Sequence, residues 1–243
     1  MTLPVFLVPA LPVSDTCVLD GPEGRHAATV RRLRVGEELV LSDGSGSLVR
    51  CVVESVGKDV LDLRVQQRWT DPEPSPRVVL AQALVKGDRG ELAVELATEA
   101  GVDGVVPWRA SRCITKWEDG PRGAKQLARW QSTAREAAKQ ARRSRVPSVA
   151  EAVNTAGLSR LVTASALTLV LHESASDKLA DVQLPESGDV LIVVGPEGGI
   201  TDEELTALTT AGARVVRLGT TVLRASTAGV VALGALGALT NRW

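Results

Sequence analysis

The sequence predicts two folded parts, a small β-barrel followed by a larger α/β domain with a mainly parallel sheet. Three observations lead there. Residues 1–70 alternate short apolar strings with Gly/Asp turns, the texture of a barrel built from short strands. TDPEPSP, Thr70–Pro76, packs three prolines into seven residues, which is a linker composition. Beyond it, apolar strands alternate with segments of helical period.

The elements follow in chain order. MTLPVFLVPALPVSD lacks the basic start of a secretory signal and is broken by Pro4, Pro9 and Pro12, so it reads as a first strand. HAATVRR, His26–Arg32, reads as a helical turn, and LVLSDGSGSLVRCVVESV as two strands joined at Asp43–Gly46. The barrel is assigned to residues 1–70, the linker to 71–76 and the α/β domain to 77–243. In that domain Val78–Leu84 is a strand, Gly90–Gly101 a helix stopped by glycine, and Gly104–Trp108 a short strand. Gln126–Arg145 is a helix with Leu127, Trp130, Ala134, Ala137 and Ala141 on one face and Arg135, Lys139, Arg142 and Arg143 largely off it. Strands follow at Leu167–Glu173, Val190–Gly195 and Arg214–Gly219, and a last helix covers Ser226–Leu239. Its small residues, Gly229, Ala232, Gly234, Ala235, Gly237 and Ala238, fit a tightly packed core helix and a subunit interface equally well.

At 243 residues, 44% hydrophobic and 23% charged, the chain has an ordinary soluble composition. No apolar run reaches membrane-spanning length, so no membrane is expected as a partner. Three widely spaced cysteines, Cys17, Cys51 and Cys113, argue against a disulfide framework or a metal cluster and fit a reducing compartment, so a cytoplasmic location is expected. The net charge of −1 conceals a gradient. Arg109–Arg145 carries 11 Lys/Arg against three acids, a balance of +8, whereas 146–243 carries six basic and ten acidic residues, a balance of −4. A focused basic region fits binding of a polyanion at one place, and also a solvated helix face.

VLIVVGPEGGITDEEL, Val190–Leu205, holds the densest signal. A buried strand runs into a Gly-rich elbow, and Thr201 with Glu204 forms a capping-box start for the next helix. A phosphate loop would need a lysine, and Glu197 stands where a triphosphate would be repelled. The dinucleotide pattern G-x-G-x-x-G is absent too. The elbow therefore suits a ligand that is neutral or cationic where it meets Glu197. Comparable loops end the strands before His172 and at Gly219, and neighbouring strand ends converge on one crevice.

GPEGGIT with Glu204, followed by LG-x-x-VLR-x-x-TA at 218–228, resembles the SPOUT class of methyltransferases. More closely the chain resembles the RsmE family, which methylates N3 of a uridine in 16S ribosomal RNA of the small subunit. HAATVRRLRVGEEL with the DGSG turn resembles that family's PUA-like barrel. Ala83–Cys113 and Arg129–Pro147 resemble its central segments. The resemblance implies a trefoil-knotted methyltransferase domain, S-adenosylmethionine as cofactor, no metal, and a homodimer acting on the RNA of the small subunit. The cofactor is a sulfonium without phosphate, which agrees with the missing lysine.

Carried over by position, the cofactor site comprises Leu171, His172, Val194, Gly195, Pro196, Glu197, Gly198, Gly199, Ile200, Leu218, Gly219, Val222, Leu223 and Arg224. Arg224 is the candidate to stabilise charge on the base and Glu197, or a water, to accept the proton. His172 is read as a base or as a hydrogen-bonded loop residue. RNA contact is assigned to Arg25, His26, Arg31, Arg32, Arg34, Arg109, Arg112, Arg135, Lys139, Arg142, Arg143 and Arg145. One departure from the family stands out: Ser226 occupies the usual place of an acidic residue, and is expected to cap the last helix. Two other readings stay open, a non-catalytic RNA-binding protein on the same fold and a ribose 2′-O-methyltransferase.

Overall fold

The computed structural model describes residues 3–240, which fall into two compact units. Of the described residues, the first comprises 3–73 together with Ala138–Val146, and the second Pro74–Ala137 and 147–240. A single cut at the proline-rich stretch does not describe that division, because Ala138–Val146 packs with the amino-terminal unit.

The first unit contains β1 (Val5–Leu7), β2 (Thr16–Leu19), α1 (Gly21–Arg25), a π-helical turn (His26–Val30), β3 (Glu38–Ser42), β4 (Ser47–Gly57) and β5 (Val60–Thr70). Strand order is β1-β3-β4-β5-β2, with only β1 and β3 running parallel. Phe6, Leu39, Leu41, Val49, Val53, Leu61 and Leu63 alternate inward and form its core. Arg145 fixes the returning segment, its guanidinium donating to the carbonyls of Ser45 and Asp71. Lys139 does the same from the other side, 2.8 Å from Glu23, with its Nζ 5.9 Å from the Phe6 ring centre.

The second unit holds β6 (Arg77–Ala83), α2 (Arg89–Glu99), β7 (Gly104–Arg109), α3 (Pro121–Gln140, whose last three residues belong to the first unit), β8 (Ser148–Val149), β9 (Val153–Asn154), α4 (Thr155–Ala164), β10 (Leu167–Leu171), β11 (Asp189–Val194), α5 (Asp202–Thr210), β12 (Arg214–Val216) and α6 (Ala225–Leu239). All strands of its sheet are parallel, in the order β12-β10-β11-β6-β7-β8, with β9 also on β7. The strands read as continuous apolar runs because both faces are covered. Leu80, Leu169, Leu191, Ile192 and Val193 are wholly buried.

Two expectations are corrected. The basic helix runs over Pro121–Gln140 rather than 126–145. Pro121 suits its first position, where no backbone N–H is needed. It ends when Arg142 turns left-handed, at φ 56°, and the Arg143 N–H closes on the Ala138 carbonyl. Arg142, Arg143 and Arg145 therefore leave the helix instead of extending its charged face. The last helix begins at Ala225, so Ser226 is inside it, and the N-cap position falls to Arg224 with no side-chain cap. The Ser226 hydroxyl is buried without a partner. Inside its own unit α6 is a core helix: it packs on α2, β6 and β11, and a Cβ on Gly229 would lie 3.0 Å from Leu80 Cδ2.

Candidate active site

The parallel register sets the site. Leu171, Val194 and Val216, the last residues of β10, β11 and β12, stand side by side. The His172 N–H then donates to the Val216 carbonyl at 2.9 Å. Three loops leave the sheet together at its carboxyl edge, where open α/β sheets hold ligands.

The elbow after β11 is a tight turn, with the Gly199 N–H donating to the Pro196 carbonyl at 2.9 Å. Gly199 has φ 76°, a conformation that costs a side-chain-bearing residue about 1 kcal/mol or more. Gly198 backs onto Arg112: a Cβ there would be 3.0 Å from the Arg112 Cβ, and Arg112 Nη1 donates to the Gly198 carbonyl at 3.0 Å. The capping box expected at α5 is present, with the Thr201 hydroxyl accepting from the Glu204 N–H and Glu204 Oε2 accepting from the Thr201 N–H. The other oxygen, Oε1, accepts from the Ser111 N–H at 2.8 Å, the Ser111 hydroxyl at 3.0 Å and the Thr155 hydroxyl at 3.0 Å. One buried carboxyl thus ties the starts of α4 and α5 to the loop after β7 that carries Arg112.

These loops enclose a cavity of about 900 Å³, at the large end of the usual range for small-molecule sites. It brings together Leu171, His172, Val194, Gly195, Pro196, Glu197, Gly198, Gly199, Ile200, Val222, Leu223 and Arg224. Leu218 and Gly219 do not line it. Lys86, Asp88, Arg89, Asp202 and Ser226 do, although sequence reasoning did not select them, and so does Arg112, which was assigned to RNA contact. The Lys86-Gly-Asp-Arg89 tetrad at the end of β6 was the available signal, since β6 pairs with β11 in the sheet.

Charge is mixed around the rim. Glu197 Oε1 accepts from the Lys86 N–H at 3.2 Å. Its own backbone N–H, the Thr201 hydroxyl and, least, the positive charge of Arg112 hold Glu203 below the usual carboxylate range. Burial pushes the Cys113 thiol up, so this buried sulfur is no thiolate nucleophile. His172 Nδ1 lies 3.3 Å from the Ser174 N–H, which it accepts, and 2.8 Å from the Ser174 hydroxyl. An Nδ1 used as an acceptor leaves the proton of a neutral ring on Nε2.

Of the cations assigned to RNA, Arg25, Arg31, Arg32, Arg34, Arg135 and Arg142 are exposed. Lys139 and Arg145 are engaged within the first unit. Arg109 pairs with Asp119 at 3.0 Å, and His26 meets the Phe6 ring edge-on at 5.7 Å. Ser226 gives a direct test of its orphaned hydroxyl. Ser226→Ala removes a buried group without a partner, so stability should be unchanged or higher by up to about 1 kcal/mol, read from the urea midpoint. A loss of stability would mean that the hydroxyl has a partner.

Comparison with known proteins agrees with this geometry. Residues 72–237 match the model of an RNA methyltransferase domain and residues 19–66 that of an RNA methyltransferase PUA domain. The ribosomal RNA small subunit methyltransferase E of Mycobacterium tuberculosis is 52% identical, covering 100% of this chain and 94% of the relative. The Bacillus subtilis protein of the same name is 31% identical, over 92% and 90%. Among solved structures, the Neisseria gonorrhoeae enzyme of that name, bound to S-adenosyl methionine, superposes with a TM-score of 0.84 at 30% identity, covering 98% of each chain. A Legionella pneumophila methyltransferase in complex with bound SAM gives 0.85 at 30% identity, again over 98% of each chain. With its parallel sheet, its cavity at the aligned strand ends and full-length similarity to these enzymes, the chain belongs to the ribosomal RNA small subunit methyltransferase E family.

Proposed function

We propose that this protein transfers the methyl group of S-adenosylmethionine to N3 of a uridine in the 16S RNA of the small ribosomal subunit. The observation that carries the reading is the cavity at the ends of β10 and β11, with its glycine elbow and mixed charge. The lining fits the cofactor. Glu173, Glu197 and Asp202 offer carboxyl groups to its cationic parts, Lys86, Arg89 and Arg112 suit its carboxylate, and Leu171, Val194, Ile200 and Leu223 give apolar wall for the adenine. When bound, the cofactor supplies an electrophilic methyl group.

The remaining tasks fall to the chain. The uridine N3–H is weakly acidic, so its proton must leave and the resulting charge must be held. Arg224, on the cavity wall, is assigned to a uracil carbonyl oxygen. Glu197 is assigned to the proton, directly or through a water: Oε1 is held by the Lys86 N–H, while Oε2 has no protein partner among the described residues. In the same reading the carboxyl-terminal domain is threaded as a knot, two copies associate, and the enzyme works in the cytoplasm. Val222, 79% exposed at the cavity, is an apolar side chain that a second copy would cover.

The test is methyl transfer from labelled S-adenosylmethionine to small subunits from cells lacking the gene, with the product nucleoside identified by mass spectrometry. N3-methyluridine is expected. A ribose-methylated product would keep the cofactor and overturn the target atom, and subunit binding without transfer would leave a binding protein. The chain has one Phe, no Tyr and five Trp, too few for a multi-aromatic stacking platform. RNA affinity should therefore rest on phosphates and fall by about 10³-fold or more between 50 and 200 mM salt, if some six phosphates are contacted. A filter-binding titration across that range checks it, and a flat salt response would contradict it.

A further inference from the structure

A second cavity, of about 230 Å³, opens in the methyltransferase unit between the start of α2, the loop before α3 and the first turns of α3. Val85 lines both this cavity and the larger one. Four polar side chains converge on it: Glu91, Thr115, Gln126 and Arg129. None of the four has a side-chain hydrogen bond or an ion pair with another described residue. Trp117 and Trp130 complete the wall, edge to face with ring centres 5.0 Å apart. Both indoles are more than nine-tenths buried.

Size and chemistry narrow the ligand. The volume lies below the roughly 300–1,000 Å³ of sites for drug-sized molecules, which excludes a second cofactor and suits one planar ring. Glu91 opposes Arg129 in sign, so the lining does not select a bare phosphate. An amide, a guanidinium, a carboxyl and a hydroxyl together make the set that reads the edge of an unstacked nucleobase.

We propose that this cavity holds a base of the substrate RNA that neighbours the methylated nucleotide, and that Gln126 and Arg129 read it. The proposal rests on the RNA-methyltransferase reading above. The methylated base itself is unsuited to this place, because its N3 edge must face the cofactor and cannot at the same time engage Gln126 and Arg129. The shared Val85 wall puts the two cavities next to each other, as adjacent nucleotides of one strand require.

The test uses small subunits reconstituted with RNA that lacks the base at one position at a time on either side of the methylated uridine. With wild-type protein, removal at one flanking position should lower kcat/KM about tenfold, the scale of one good base contact. Gln126→Ala and Arg129→Ala should show that loss with intact RNA, lose nothing further on the abasic RNA, and keep the parent affinity for S-adenosylmethionine. A merely structural role would not give such selective insensitivity. Wild-type protein indifferent to every flanking base would overturn the proposal, and so would variants that still lose the full factor on abasic RNA. The wild-type scan decides even if a variant fails to fold. Absence of any transfer by the wild type would instead sink the methyltransferase reading, and the proposal with it.

Discussion

Glu204→Leu should destabilise the protein by about 2–4 kcal/mol and weaken S-adenosylmethionine binding about tenfold, although Glu204 does not line the cavity. The side chain is 4% exposed and accepts four hydrogen bonds. Leucine of similar volume leaves the Ser111 and Thr201 N–H groups in a part-buried place without acceptors, and each orphaned donor costs about 1–3 kcal/mol. The Ser111 and Thr155 hydroxyls can turn toward other acceptors, which keeps the total below the sum of four. Glu204→Gln is the control. It retains one oxygen for Ser111 and Thr155 but presents an NH₂ to the Thr201 N–H, so an intermediate loss is expected. Urea unfolding measures the stability and calorimetry the affinity. The coupling to the cofactor runs through Arg112, next in sequence to Ser111, whose guanidinium meets the Gly198 carbonyl. Unchanged affinity in a destabilised Glu204→Leu would break that link.

Glu204 also marks how far the sequence could be read. The Thr201–Glu204 capping box is a local pattern, three residues apart, and its side-chain geometry follows from the spacing. Ser111 and Thr155 lie 93 and 49 residues away, and no periodicity announces that they share the same carboxyl group. The strands were legible for a similar reason: a strand buried on both faces in a parallel sheet must be apolar throughout, as Val190–Val194 is. Charge was less informative. Eleven basic residues in one stretch suggested one surface, but Arg112 faces the glycine elbow, Arg145 binds barrel carbonyls, Lys139 pairs with Glu23, and Arg142 turns the chain. Like charges close in sequence do not have to be close in space once a helix ends between them. The second cavity was invisible for the same cause, since Glu91, Thr115 and Arg129 reach it from three segments.

Arg224→Ala should lower kcat by about 10²–10³-fold, the usual cost of removing one preorganised donor from a developing negative charge. The backbone around Arg224 is well fixed. Its carbonyl accepts from the Thr227 and Ala228 N–H groups at 2.8 and 2.9 Å, and its neighbours Leu223 and Ala225 pack against the core. The side chain leaves that anchor exposed along the cavity wall, with no ion pair or hydrogen bond to another described residue. A fixed root with an unspent guanidinium is what a site needs to meet charge that exists only during the reaction. Substrate in its ground state carries little of that charge, so the loss should fall on kcat rather than on KM. Arg224→Lys keeps the charge but loses the planar fork, and should recover only part of the rate. Raising the pH should also restore part of the alanine variant's turnover, because more of the uracil is then already anionic without help. S-adenosylmethionine affinity, measured alongside, should stay near the parent value. Normal turnover in Arg224→Ala would remove the residue from the chemistry, and a loss confined to cofactor affinity would reassign it to holding the cofactor's carboxylate.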